Sequence, residues 1–99
     1  MKFKMLADVL HILHDKFEVD ELDIQMIRVV ELTKAHEGEA RVMRVLEECS
    51  RESQTTSHNR MKRLIALGFL VKAYGHDNRV KLLEMGDKSD EMFSFLMGC

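Results

Sequence analysis

Apolar residues at Phe3, Leu6, Leu10, Leu13 and Phe17 recur every three or four positions, the spacing of one face of an α-helix. Met5, Val9 and Ile12 form a second stripe beside it, so the apolar arc is wider than one contact within a small domain requires. The spacing predicts a helix over 3–17 that serves both its own core and a partner subunit, rather than the core alone. Acidic residues from Glu18 to Asp23 interrupt the pattern. Asp20 suits an N-cap, and Asp23 falls in a first turn, where the helix dipole favours negative charge. Leu22, Met26, Val29 and Val30, with Ile27 beside them, mark a second helix ending near His36, with Glu37-Gly38 as its stop. A shorter helix over 40–48 turns Val42, Val45, Leu46 and Cys49 to one face, and 50–52 form a turn.

The next stretch, 53–70, organises the rest. Ser53 can cap a helix through its hydroxyl. The residues after it run from a polar half through a basic middle (Arg60, Lys62, Arg63) to an apolar half, and Gly68 supplies the left-handed stop. The period then changes. Residues 69–74 and 79–83 read as strands, joined through a hairpin loop at Gly75-His76-Asp77-Asn78. Gly86 ends the second strand or opens a turn. Met92, Phe93, Phe95, Leu96 and Met97 form a short final helix, with Asp87 or Ser89 as its cap. Four helices, a hairpin and a helix make a mainly α chain with a small β-hairpin, an α+β fold. A capped basic helix, a glycine stop and a strand are how a recognition helix enters a winged helix-turn-helix. The expected layout is one winged-helix domain over 1–99: an N-terminal helix at 1–17, the winged core at 21–86 and a C-terminal helix at 87–99.

Ninety-nine residues, 45% hydrophobic and 32% charged, suit one globular domain with one modest core. The absence of proline and the five glycines argue against a long linker. No apolar run approaches the length of a bilayer span, and 1–17 carries His and Asp among its apolar positions. A secretory leader is therefore not expected, and a cytoplasmic setting is. Cys49 and Cys99 form no framework spacing, so both are expected as reduced thiols. The net charge of −2 looks wrong for a nucleic-acid binder until it is divided along the chain. Residues 1–49 hold seven Lys or Arg against eleven Asp or Glu, 50–82 hold seven against two, and 83–99 hold one against four. Positive charge is gathered where phosphates would be met.

At 100° per residue from Gln54, an arc of about 140° collects Gln54, Thr55, His58, Asn59 and Lys62, with Ser57, Met61 and Leu64 on the opposite side. Gln and Asn can pair bidentately with adenine in the major groove, and Lys can reach guanine or phosphate. Arg60 and Arg63 fall off this arc and suit phosphate or intradomain contacts. In the hairpin, Lys72, Arg79 and Lys81 flank a loop holding His76 and Asn78, as expected of a wing on the backbone or in the minor groove. The expected DNA-contacting residues are Arg51, Gln54, Thr55, His58, Asn59, Lys62, Arg63, Lys72, His76, Asn78, Arg79 and Lys81. Catalysis finds little support. His11, His14 and Asp15 could hold a metal on a helix face, but a short motif without further ligands favours partly exposed side chains; no metal or cofactor is expected. Cys49 is expected to pack as a small hydrophobe, and the eight methionines to serve an adaptable core or interface.

At this point the chain resembles the MarR family, the multiple-antibiotic-resistance-type winged-helix regulators. The resemblance runs from Glu21 to about Gly86. It rests on the capping Ser53, the Thr-rich first turn, Arg63-Leu64 and Gly68, and on Asp77-Asn78-Arg79 before an apolar strand and Gly86. It implies a sequence-specific regulator of double-stranded DNA, with the helix over 53–67 in the major groove and a wing at 70–83 with Arg79 as its arginine. Ser57 and Arg60 stand where the family is usually apolar, which implies looser packing of the first half of the helix. The family continues past the wing into long dimerisation helices, whereas this chain stops at Cys99, which argues against a small-molecule effector pocket. A homodimer is expected through the terminal apolar segments, with Phe3, Leu6, Leu10, Leu13, Phe93 and Leu96 as contacts. The competing reading is a winged helix used as a protein-interaction adaptor, since fold does not fix function.

Overall fold

The computed structural model describes residues 3–49, 51–75 and 79–98, with the side chains of 3–6 outside the description. The elements are α1 (Phe3–Phe17), α2 (Glu21–Glu37), β1 (Ala40–Arg41), α3 (Val42–Glu48), α4 (Gln54–Leu67), β2 (Leu70–Tyr74), β3 (Lys81–Met85) and α5 (Asp87–Met97). The strands form an antiparallel sheet in the order β1-β3-β2. This is an α+β winged helix-turn-helix, with α3 and α4 as the helix pair and β2–β3 as the wing.

Local chemistry sets the helix ends. At the start of α2 the Asp20 carboxylate accepts from Asp23 N–H and the Asp23 carboxylate accepts from Asp20 N–H, each at 2.9 Å, a reciprocal capping box. Gly38 closes α2 in the left-handed region, with φ 81°. Ser53 caps α4 by accepting from Thr56 N–H at 3.2 Å while its hydroxyl donates to Thr56 Oγ1 at 2.8 Å. Gly68, with φ 93°, stops α4 and turns the chain into β2.

Three boundaries differ from the sequence reading, each for a physical reason. Residues 40–41 are a strand rather than the start of a helix, because Ala40 pairs with Leu83 and Arg41 with Leu82, giving the wing a third strand. The last strand is 81–85 instead of 79–83, in register with 70–74. Neither Asp87 nor Ser89 caps α5. Gly86 takes the N-cap position, and the buried Ser89 hydroxyl donates to Phe69 O at 2.6 Å. Gly86 N–H donates to the same carbonyl at 2.8 Å, and Lys88 N–H donates to Gly68 O at 3.1 Å. A Cβ on Gly86 would collide with the Gly68 carbonyl, so only glycine lets these two backbones meet.

The core gathers Val19, Met26, Ile27 and Val30, then Val45 and Leu46 of α3, Met61 and Leu64 of α4, and Phe69, Leu70, Leu83 and Met92. Phe17 meets Phe69 and Phe95 edge-on, with centroids 6.4 and 5.7 Å apart, and so fastens α1 and α5 to the same core. Of the residues expected at a partner contact, Leu13 is only 2% exposed and packs in the chain's own core. Its neighbour Ile12 is instead at the surface, 46% exposed. Leu10, Phe93 and Leu96 are half-buried, and the side chains of Phe3 and Leu6 lie outside the described residues.

Candidate nucleic-acid interface

Helix α4 is pinned by its buried face, where Ser57, Met61 and Leu64 point into the core. Gln54, Thr55, His58, Asn59 and Lys62 are consequently exposed together on the other side. A cleft of about 680 Å³ runs between α3, the first half of α4 and the loop end of the wing. It brings Gln54, Thr55 and His58 alongside Arg79 and Lys81, over apolar walls from Val42, Met43, Leu46 and Val80. Asn59 faces the opposite flank of α4, in a groove shared with His14 and Arg63. Lys62 is exposed and lines neither. Lys72 lies on β2 outside the cleft, its ammonium 5.9 Å from the Tyr74 ring centroid. Arg51 donates to Gln25 Oε1 at 3.2 Å. His76 and Asn78 lie outside the described residues.

The two arginines off the exposed polar arc hold α4 to the body. Arg60 donates to Glu52 through Nε at 3.1 Å and Nη2 at 2.6 Å, a bidentate pair, and through Nη1 to Asp23 at 2.6 Å and Asp20 at 2.9 Å. Arg63 pairs with the other Asp23 oxygen and donates to the Glu18 carbonyl at 2.9 Å. Asp23 is fully buried, so its charge is balanced by two cations that reach it across 37 and 40 residues of chain. The Arg60 hydrogen bonds hold the Glu52 carboxyl below its usual range. Burial pushes Asp20 up, but the Asp23 N–H and the Arg60 guanidinium outweigh it and hold that carboxyl low. Glu52, with Asp23 and Asp20 behind it, holds Arg60 above even its ordinary value.

Ser57, buried at an otherwise apolar position, donates to Cys49 O at 3.2 Å. Among the described residues no buried side-chain nitrogen or oxygen lacks a hydrogen-bond partner. The first half of α4 is therefore tied down by polar contacts rather than loosened by them. Burial pushes the Cys49 thiol up, which suits a packed rather than a reactive cysteine. His11 and His14 both lean on the Asp15 carboxylate, at 3.2 and 3.7 Å.

Sequence reasoning missed two participants. Arg41, at the end of β1, lines the cleft beside the wing cations; a two-residue strand has too little periodicity to announce it. Asp23 read as a helix-dipole residue, and nothing local signalled that α4 would converge on it.

No family model and no curated protein matches the chain. Among solved structures it is similar to the crystal structure of the transcriptional regulator Tm0710 from Thermotoga maritima. The TM-score is 0.66 and the identity 18%, over 96% of this chain and 66% of that one. The chain thus spans just under two thirds of that protein's length. At this identity the likeness establishes the fold.

Proposed function

We propose that the chain is a MarR-type, sequence-specific binder of double-stranded DNA that acts as a cytoplasmic homodimeric transcriptional regulator. One observation carries this reading: the cleft at the loop end of the wing unites part of the exposed stripe of α4 with the wing cations Arg79 and Lys81. In the proposed complex α4 enters the major groove, where Gln54, Thr55, His58, Asn59 and Lys62 read base edges. Arg79, Lys81 and Lys72 hold phosphates, and the loop carrying His76 and Asn78 follows the backbone or minor groove. Arg51 flanks the same surface. Arg63 acts by fixing the helix rather than by touching DNA. The terminal helices α1 and α5 join two copies, with Ile12, Leu10, Phe93 and Leu96 at the contact, and the segment over 21–86 forms the DNA-binding core.

The test is selection of duplexes from a random pool, followed by affinity measurement across salt. A palindrome with half-sites about one helical turn apart is expected, bound less tightly as salt rises. Absence of binding at low salt would sink the DNA reading and leave a protein-interaction adaptor. Sedimentation showing only monomer at micromolar concentration would remove the homodimer.

A further inference from the structure

The cleft holds a cation to which the proposed reading gives no role. Arg41 ends β1, paired across the sheet with Leu82, and so sits next to Lys81 along the ladder. Its side chain is 61% exposed and lines the cleft with Arg79 and Lys81. Val42, Met43, Leu46 and Val80 add an apolar part to the lining, and Met43 is 59% exposed. Cations and apolar side chains lining one cleft suit a polymer that alternates anionic phosphates with apolar sugar faces. A free anion would use the cations alone, and an apolar ligand the apolar lining alone.

Arg41 is not idle in the free protein. Its Nε donates to Glu39 Oε1 at 2.8 Å. Both partners are substantially solvated, at 61% and 37% exposure, so the pair contributes little to stability and exchanges readily. A backbone phosphodiester offers the guanidinium the same bidentate geometry and the same single negative charge as a carboxylate, and the neighbouring phosphates of the polymer add to its field.

We infer that the cleft seats a stretch of sugar–phosphate backbone flanking the major groove, with Arg41 as a phosphate contact that Glu39 holds until DNA arrives. This rests on the DNA-binding reading and adds a site and a competitor to it. As a phosphate contact, Arg41 sets affinity and leaves base choice alone.

The experiment measures affinity of the full chain for a selected and an unrelated duplex, over a salt series, for the wild type, Arg41→Gln, Glu39→Gln and the double variant. Arg41→Gln should weaken both duplexes by a similar factor and lower the slope of log affinity against log salt by about one. Glu39→Gln should tighten binding by about threefold, the order expected from releasing Arg41 from one exposed ion pair. Most of that gain should vanish in the double variant, as required if Glu39 acts through Arg41. Unchanged affinity and slope in Arg41→Gln, with the wild type still binding, overturns the inference. So does a Glu39→Gln gain that persists in full without Arg41. Failure of the wild type to bind any duplex overturns the DNA reading beneath it, so the two failures are distinguishable.

Discussion

Two flanks of the same helix put similar polar chemistry to opposite uses. On one, Arg60 and Arg63 turn inward and are matched by Asp20, Asp23 and Glu52. On the other, Gln54, Thr55, His58 and Lys62 face solvent beside a basic wing. Arg60 and Lys62 are two residues apart and differ by about 200° around the axis, enough to make one an internal bolt and leave the other in solvent. Basic residues on a helix say little about nucleic acid until their carboxylate partners are located. Here the two strongest-looking cations are the ones already neutralised.

The comparison can be broken most forcefully at Asp23. Asp23→Ala would leave Arg60 and Arg63 converging on an empty buried position, and it should lower unfolding stability by about 3–5 kcal/mol. A urea titration showing a loss under about 1 kcal/mol would mean these pairs are as weak as surface pairs, and the flanks would not differ energetically. Ser53→Ala removes the cap that both flanks share and should cost about 1 kcal/mol in the same measurement.

Acid is the milder probe. Glu52 and Asp20 have lowered values in the folded chain, so the stability they contribute is complete above the ordinary carboxylate range, near about pH 4. It is lost as pH falls through the lower folded values. Glu52→Gln should therefore flatten the acid limb of the stability curve, and parallel curves for variant and wild type would exclude this role. Smallest for stability is Lys62→Ala, expected to stay within about 0.5 kcal/mol of wild type. The same change should weaken DNA binding and reduce its salt slope by about one, an effect readable by anisotropy. Equal affinity would remove Lys62 from the contact surface.

What was legible in the sequence follows from how local each signal is. The caps at Asp20 and Ser53, the left-handed stops at Gly38 and Gly68, and the burial of Ser57, Met61 and Leu64 all depend on residues within one or two turns. β1 depends on a partner strand some 40 residues away and spans two residues, too few for an alternating pattern to register. Asp23 illustrates the same limit for the site. Its place in the first turn was readable, whereas its second role requires α2 and α4 to cross. Ile12 and Leu13 differ because apolar periodicity marks a stripe without saying which edge of it the core will cover.

The attachments of the terminal helices to α4 have a mechanical consequence. Helix α5 departs from Gly86, whose backbone rests on that of Gly68 with no room for a side chain between them, so the base of α5 and the end of α4 must turn as one rigid piece. Helix α1 meets α4 through an elbow whose Glu18 carbonyl is clasped by a single side chain, Arg63. A load applied to α5 therefore reaches α4 through backbone laid on backbone, while a load on α1 reaches it through side chains, the Arg63 clasp and the packing of Leu13 and Phe17 in the core.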